Sequence, residues 1–291
     1  MLVEQIINGL TAGIIYSLVA LGFTIIFASL DLVHFAQGEI LMIGGFIGYL
    51  FYSIGVPFLA ALLLTVVLTG GLGVVLERLV YRRILAKKDP EVLVICTIGM
   101  STLLTNLALR IWGSEPRSIA KEEAFPGETL QLAGVSIQPM HLWIVGISLV
   151  VMALFWYLFE KTKIGLGMRT TAYSKEIAAL MGVPVGWTVS LTFAIACGLA
   201  AAAGWLLSPT IFVQYNVGAV LGLKAFCAAV IGGMGSIPGA IVGGLFLGVA
   251  ENIGAGYVDS GYKDAIAAIV MIGVLLMKPT GLFGTVKQEK V

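Results

Sequence analysis

Long runs of apolar residues recur from one end of this chain to the other, and they restrict its possible folds more than any other feature. A helix of about 20 apolar residues spans the hydrocarbon core of a bilayer. Inside that core each backbone N–H and C=O must be paired within the protein, so repeated runs predict helices and not open sheets. Charged residues make up 11% of the 291 residues, against about 25% in soluble domains. We therefore predict an all-α, polytopic membrane protein.

Nine apolar segments are candidate membrane spans. Two of them, 36–53 and 219–234, are short and contain glycines that interrupt the pattern. One of these two is a candidate re-entrant segment, so the sequence predicts about eight full crossings within a single transmembrane domain over residues 1–291. The nine segments are 6–28, 36–53, 56–77, 91–111, 140–159, 187–207, 219–234, 236–254 and 263–278.

Basic residues cluster in three polar segments, which the positive-inside rule places on the cytoplasmic side. The loop 112–139 is rich in glutamate instead and is expected outside, as an irregular loop. If all nine segments cross, the N-terminus lies outside and the C-terminus inside; if 36–53 is re-entrant, both termini lie inside. A re-entrant 219–234 alone would put the basic tail outside and is disfavoured. The segments 78–90, 160–186 and 278–291 hold 12 of the 17 basic residues: Arg78, Arg82, Arg83, Lys87, Lys88, Lys161, Lys163, Arg169, Lys175, Lys278, Lys287 and Lys290.

Glycines at four-residue spacing mark several of the candidate spans. Small residues at this spacing share one helix face and allow two helix backbones to approach closely. The string IGGMGSIPGA (231–240) also predicts a broken helix, which survives at membrane depth only inside protein or beside a cavity. The segments 22–52 and 204–246 share one order of glycine, polar loop and short apolar run, and are a candidate internal repeat of the kind that transporters use. The spaced glycines are Gly9 and Gly13, Gly44 and Gly48, Gly235, Gly239 and Gly243, and Gly244 and Gly248.

Sequence motifs of catalysis and cofactor binding are absent. The chain has no G-x-x-x-x-G-K-[ST] phosphate loop, no G-x-S-x-G and no H-E-x-x-H. The net charge of +1 argues against nucleic acid as a partner, since that would require a basic patch. The two histidines lie far apart and the three cysteines have no metal-ligand spacing, so no metal site is expected. We predict neither an enzyme nor a cofactor.

A short helix with a cap at each end is predicted in the basic segment 160–186. Ser174 suits the N-cap and Glu176 the first turn, while Gly182 suits the position just after the last turn. A helix of two turns is not stable alone in water. We therefore expect it to occupy a groove in its own chain or in a partner, or to lie on the bilayer surface. Its apolar face consists of Ile177, Ala178, Leu180 and Met181.

The stretch GLGMRTTAYSKEIAALMGV (165–183) resembles the coupling loop of ABC-transporter permeases. Three further stretches, NGLTAGIIYSLVALGFTIIF (8–27), GLKAFCAAVIGGMGSIPGAIVGG (222–244) and KPTGLFG (278–284), are similar to the permeases of branched-chain amino acid (Liv-type) ABC importers. The resemblance implies an inner-membrane subunit with a second related permease, two cytoplasmic ATPase subunits and an extracytoplasmic solute-binding protein that delivers leucine, isoleucine or valine. The candidate ATPase-coupling residues are Gly167, Arg169, Ser174, Glu176, Ala178, Leu180, Met181 and Gly182.

Polar side chains interrupt the apolar pattern in LDLVHFAQGEILMIGGF (30–46). The family that the chain resembles usually has asparagine before Phe-Ala and often histidine before Gly-Glu, where this chain has His34 and Gln37. The resemblance places these residues at the start of a discontinuous helix, whose N-terminal amides face a cavity suited to a carboxylate. An ionisable residue inside a membrane is a functional candidate by default. The candidates for a substrate path are His34, Gln37, Glu39, Lys224 and Glu251.

Lys224 is expected to have a partner, because a lone ammonium at mid-bilayer costs about 2.5–3.5 kcal/mol on insertion scales. Its candidate partners are Glu39, Glu251 and the carbonyls at a helix end. The alternative for these charges is that they reach the membrane interface or pair only for assembly.

These inferences predict the permease subunit of an ATP-driven importer of branched-chain amino acids, with no chemistry of its own. One alternative is an ABC permease for another small solute, such as urea or a short amide. The other is a secondary transporter that works alone on an ion gradient, in which the short capped helix would have no purpose.

Overall fold

Helices make up nearly all of the regular structure in the computed structural model, which describes residues 2–85, 90–120, 124–125, 127, 129–132, 135–257 and 259–284. A π-helical turn (Glu77–Tyr81) joins α3 to α4, and a 3₁₀ turn (Ser260–Tyr262) precedes the last helix. The helices are α1 (Leu2–Leu30), α2 (Gln37–Ser53), α3 (Phe58–Leu76), α4 (Arg82–Leu85), α5 (Pro90–Trp112), α6 (Pro139–Lys161), α7 (Lys163–Tyr173), α8 (Lys175–Leu180), α9 (Val185–Leu207), α10 (Val217–Gly232), α11 (Ile237–Tyr257) and α12 (Lys263–Met277).

Each of the nine predicted apolar segments is a helix in the described part of the chain. Six are long and apolar enough to cross a membrane: Leu2–Leu30, Phe58–Ile84, Glu91–Trp112, Pro139–Lys161, Val185–Leu207 and Ile237–Tyr257. The predicted shortness of α2 and α10 is confirmed, since they have 17 and 16 residues. At 1.5 Å per residue each is about 25 Å long, less than the hydrocarbon core of about 30 Å. Each helix is therefore shorter than the core that it would have to cross.

The loop between α5 and α6 is less irregular than predicted. Two short strands, β1 (Leu130–Leu132) and β2 (Val135–Ile137), pair in antiparallel register with Leu130 opposite Ile137. Arg117 of the same loop makes an isolated bridge with Val213, which anchors the loop to the connection between α9 and α10. The loop acids Glu122, Glu123 and Glu128 and the basic residues Lys87, Lys88, Lys121, Lys287 and Lys290 lie outside the described residues.

Successive helices alternate between two faces of the molecule. The start of α3 meets the end of α9, where Phe58 stacks on Trp205 at 4.7 Å, and the end of α3 meets the start of α9, where Ser190 contacts Glu77. α1 and α11 are likewise antiparallel along their shared glycines. We call the side with the ends of α1, α3 and α6 the basic face, because it carries Arg82, Arg83, Arg169, Lys175 and Lys278.

The positive-inside rule predicts that the basic face is the cytoplasmic one. α1 runs towards it and α12 ends at it, so Leu2 lies on the opposite face and Met277 on the basic face. Of the two predicted topologies, the directions of the helices favour the one that puts the two ends of the chain on opposite faces. In the tail, the N–H groups of Leu282 and Phe283 donate to Ile231 and Gly232 at 2.8 and 2.9 Å, which closes the end of α10.

The candidate internal repeat of 22–52 and 204–246 stays a prediction; in the structure both segments hold the end of a long helix, an irregular segment and a short helix. α1 runs towards the basic face and α9 away from it. α1 packs along α11 just as α9 packs along α3. Gly9 and Gly13 lie against the backbone of α11, with ideal Cβ positions within 3 Å of Val249 and Leu245 atoms. Close backbone packing is what the four-residue glycine spacing predicts.

Cysteine labelling should report these two faces. In a variant with Cys96, Cys197 and Cys227 replaced by alanine, we expect a membrane-impermeant maleimide to label Glu115→Cys on intact spheroplasts. Arg83→Cys should react only after permeabilisation, because it lies on the basic face. Both side chains are exposed in the structure, so burial does not limit either reaction. Labelling of Arg83→Cys with protection of Glu115→Cys would reverse the orientation.

Candidate functional site

The break between α1 and α2 is the first element of the site. α1 ends at Leu30, and Asp31 takes a left-handed backbone with φ of 52°. The chain then turns back into the molecule, and His34 is completely buried. Gln37 at the start of α2 donates through Nε2 to the Ala196 carbonyl at 2.8 Å. Ala196 lies about 16 Å along α9 from its start, so this irregular segment reaches membrane depth.

His34 is held by two polar partners in this interior. Its Nδ1 lies 3.2 Å from Gln37 Oε1 and its Nε2 lies 2.9 Å from the Tyr81 hydroxyl. Since Gln37 Oε1 can only accept, Nδ1 donates to it, and in the tautomer with its hydrogen on Nδ1 the Nε2 atom accepts from the Tyr81 hydroxyl. Phe193 packs against both rings. The structure thus brings two predicted path residues, His34 and Gln37, into one hydrogen-bonded cluster.

The π-helical turn after α3 supplies Tyr81 and a second buried acid, Glu77, which is 1% exposed. Arg82 Nε pairs with Glu77 Oε1 at 3.0 Å, and the Ser190 hydroxyl donates to Oε2 at 2.6 Å. Arg82 also donates to the Gly186 carbonyl at 2.7 Å. These bonds fasten the end of α3 to the start of α9. Glu77 and Tyr81 were not predicted as site residues. The sequence feature that could have indicated Glu77 is the charged pair Glu77-Arg78 directly after an apolar run.

The N-termini of α2 and α10 meet inside the molecule. An added Cβ on Gly38 would lie 2.1 Å from the Gly218 carbonyl oxygen, and one on Gly218 would lie 2.8 Å from the Gly38 carbonyl oxygen. Gly222 is equally close to the Gly38 backbone. Only glycine fits at such distances, so the two short helices touch through backbone atoms alone. We call this contact the glycine crossing.

Glu39 follows directly after the glycine crossing and is 2% exposed. The hydroxyls of Ser101 and Thr105 on α5 lie beside its carboxyl group. Within the described residues, Glu39 Oε2 has no hydrogen-bond partner. Its proposed pairing with Lys224 is wrong, because α10 turns Lys224 towards a different group of helices.

Lys224 pairs with Glu251, as one of the predicted alternatives states. Its Nζ lies 2.7 Å from Glu251 Oε1 and 2.8 Å from Asp264 Oδ1. The Tyr16 hydroxyl donates to Glu251 Oε2 at 3.0 Å. This network joins α1, α10, α11 and α12. Asp264, 70% exposed on its side chain, and Tyr16 were not predicted, because nothing in the sequence tells which helices face Lys224.

The predicted capped helix exists on the basic face as α8. The Ser174 hydroxyl accepts from the Ile177 N–H at 3.3 Å and donates to Glu176 Oε2 at 3.0 Å. The helix ends at Leu180, and Gly182 has a positive φ of 78°. The N-cap and the glycine after the last turn are therefore confirmed.

The predicted apolar face of α8 is divided between two sides. Ala178 points inward and is completely buried, because the chain folds back at Gly182 and Val183 N–H donates to the Ala178 carbonyl at 2.9 Å. Leu180 and Met181 point outward and are 88% and 71% exposed. Ile177 is exposed as well. The described chain thus leaves three large apolar side chains of α8 uncovered on its basic face.

The preceding helix α7 supports α8 from within. Gly167 is buried, and a Cβ there would contact Val183 at 3.5 Å. Arg169 pairs with Glu160 Oε2 at 2.8 Å and donates to the Glu160 carbonyl at 3.0 Å, which ties α7 to the end of α6. Arg169 therefore orients the pair of helices and does not share the exposed apolar surface of α8.

Comparison with known proteins places these features in a family. Residues 5–275 match the family described as "Branched-chain amino acid transport system / permease component". The chain is 35% identical over 306 residues to the high-affinity branched-chain amino acid transport system permease protein BraD of Pseudomonas aeruginosa, covering 99% of this chain and 97% of that protein. It is 33% identical over 304 residues to LivH of Escherichia coli K12, with the same two coverages.

A solved structure shares the fold. PsaBC from Streptococcus pneumoniae, determined in complex with Fab, superimposes with a TM-score of 0.50 and 14% sequence identity. The superposition covers 94% of this chain and 91% of that one. At this identity the likeness concerns the arrangement of the helices alone.

Proposed function

Because this chain belongs to the permease family of branched-chain amino acid transport systems, we propose that it is a permease subunit of an ATP-driven importer of leucine, isoleucine and valine. It is a multi-pass protein of the inner membrane. A second related permease completes the translocation path. Two cytoplasmic ATPase subunits drive transport, and an extracytoplasmic binding protein delivers the amino acid.

The exposed apolar end of α8 is the observation that carries this proposal. Ser174 and Gly182 define both ends of a helix that is too short to persist alone in water. It nevertheless holds Leu180 and Met181 in the solvent of the basic face. A groove in an ATPase subunit is the partner that such a face fits. A transporter that works alone on an ion gradient has no use for it.

The broken helices provide the path in this proposal. The N-termini of α2 and α10 lie in the interior of the molecule, and helix N-termini attract anionic groups. Irregular backbone at this depth is tolerated where it is buried in protein or lines a cavity. His34, Gln37 and Glu39 lie at the start of α2, and Lys224 and Glu251 lie beside α10. The carboxylate of a passing amino acid suits this environment.

Uptake by the reconstituted complex tests the function. The chain is co-purified with its ATPase subunits and second permease, placed in proteoliposomes with ATP inside, and supplied outside with the binding protein. We expect labelled leucine to accumulate only when ATP and binding protein are both present, and isoleucine and valine to compete. Accumulation of urea or acetamide in place of leucine would identify another substrate. Uptake driven by an ion gradient without ATP would contradict the proposal.

A further inference from the structure

Helix α5 carries polar side chains that an ordinary apolar span does not need. Ser101 and Thr105 lie four residues apart, and Thr102, Asn106 and Arg110 form an adjacent row at the same spacing. Residues four apart on a helix lie one above the other. The three members of the second row are exposed in the structure. A polar strip therefore runs from the middle of α5 to its outer end, and we call these five residues the α5 strip.

Glu39 lies at the inner end of the α5 strip, where Ser101 and Thr105 face its carboxyl group. No lysine or arginine of the described chain forms an ion pair with Glu39, and its Oε2 has no hydrogen-bond partner there. Buried carboxylates in proteins are normally paired. The other two buried acids, Glu77 and Glu251, follow this rule through Arg82 and Lys224. Glu39 is therefore the acid for which the described chain supplies no cation.

The helix that covers Glu39 is attached mainly along one side. α5 packs against α2, where Trp112 stacks on Phe46 at 4.8 Å, and its start contacts α4. Large apolar side chains such as Leu103 and Leu107 are exposed elsewhere on α5. A helix with one principal neighbour can shift without dismantling a core. Such a shift would open the carboxyl group of Glu39 to the α5 strip.

We propose that the α5 strip lines the outer part of the translocation path and that Glu39 receives the α-ammonium group of the amino acid at its inner end. The proposal rests on the function proposed above and specifies which group of the substrate is recognised. An ammonium group offers three N–H donors and the charge that the Glu39 carboxylate lacks. The hydroxyls of Ser101 and Thr105 supply further acceptors. On entry, Arg110 at the outer end meets the substrate carboxylate before the ammonium group reaches Glu39.

Cysteine accessibility tests the α5 strip without relying on transport. In the assembled complex lacking native cysteines, we expect Thr102→Cys to react with a methanethiosulfonate that carries trimethylammonium, added from outside. Leu107→Cys, on a different side of the same helix and 47% exposed, is the matched control and should not react. After correction for the rates with a free thiol, the cationic reagent should exceed the sulfonate reagent about fivefold at Thr102→Cys, because a nearby carboxylate attracts it.

Removing the charge of Glu39 should remove this selectivity. In Glu39→Gln the cationic and anionic reagents are expected to modify Thr102→Cys at equal corrected rates. If Thr102→Cys is as unreactive as Leu107→Cys, the α5 strip is a contact between the two permeases and the proposal is wrong. Equal rates for the two reagents with Glu39 in place overturn it as well, and this measurement remains decisive even if Glu39→Gln does not assemble.

Transport by the same variant separates the two proposals. We expect Glu39→Gln to lower leucine uptake about tenfold, a loss of about 1.4 kcal/mol in transition-state free energy, while the loaded binding protein still stimulates ATP hydrolysis. Glu39→Asp, which keeps the charge, should retain part of the uptake. Absence of leucine uptake in the wild type would refute the proposed function. Wild-type uptake in Glu39→Gln would refute the role of Glu39 alone.

Discussion

Leu180→Glu is expected to abolish amino acid uptake while the protein still inserts in the membrane and pairs with the second permease. Leu180 lies at the exposed end of α8 and contacts no core of its own chain. Burial of a large apolar side chain in an ATPase groove contributes about 1.5–3 kcal/mol. A glutamate at the same place would have to lose its hydration without gaining a partner. The packing of the membrane helices should not change, because Leu180 is exposed and lies outside their core.

Co-purification of the ATPase subunits, binding of the loaded delivery protein and leucine uptake are the three measurements. We expect the first and third to be lost and the second to persist, because the delivery protein binds the opposite face. Leu180→Met is the control: it keeps an apolar side chain of similar volume and should transport normally. Normal uptake by Leu180→Glu with the ATPases still bound would show that α8 is not the coupling element.

Lys224→Met should destabilise the folded protein by about 3–5 kcal/mol, the usual effect of leaving one partner of a buried ion pair alone. Glu251 would keep its hydrogen bond from Tyr16 but lose its cation. Asp264→Asn is the matched control, since it removes the exposed partner of the same lysine. An exposed pair contributes at most about 1 kcal/mol, so this variant should have nearly wild-type stability.

The double variant Lys224→Met/Glu251→Gln distinguishes a buried charge from a lost contact. With the carboxylate neutralised, most of the stability lost in Lys224→Met should return. The stability of the wild type and the three variants is measured by heating each protein in detergent and recording the fraction that remains monodisperse. If Asp264→Asn is as unstable as Lys224→Met, the Lys224–Asp264 pair contributes more to stability than the buried Lys224–Glu251 pair, which contradicts this prediction.

Features that depend on neighbouring residues in the sequence could be predicted. The nine apolar runs are all helices in the described part of the chain, and Ser174 and Gly182 marked the ends of α8, because caps and apolar length act within a few residues of chain. The Lys224–Glu251 pair was only one of several alternatives, since its choice depends on how α10 and α11 face each other. Ala178 was predicted to be exposed with Leu180, but the turn at Gly182 rotates it inward.

The orientation of the termini was left open for a different reason. The sequence shows that α2 is short. It does not show whether the chain enters and leaves α2 on the same side of the membrane or on opposite sides. The tilted ring contact of Tyr52, at the end of α2, with Trp205 at 6.1 Å places that end beside the end of α9 and the start of α3. The α5 strip, by contrast, is visible in the sequence as polar residues at four-residue spacing. It was missed because the mean hydropathy of the segment is that of an apolar span.

The glycine crossing has a mechanical consequence. α2 runs from it towards the outer face and α10 towards the basic face, so the two helices extend in opposite directions from one contact at membrane depth. Because backbone meets backbone at Gly38 and Gly218, the contact has no room for a side chain on either helix. A methyl group at either glycine would therefore push the two helices apart at the point from which both extend.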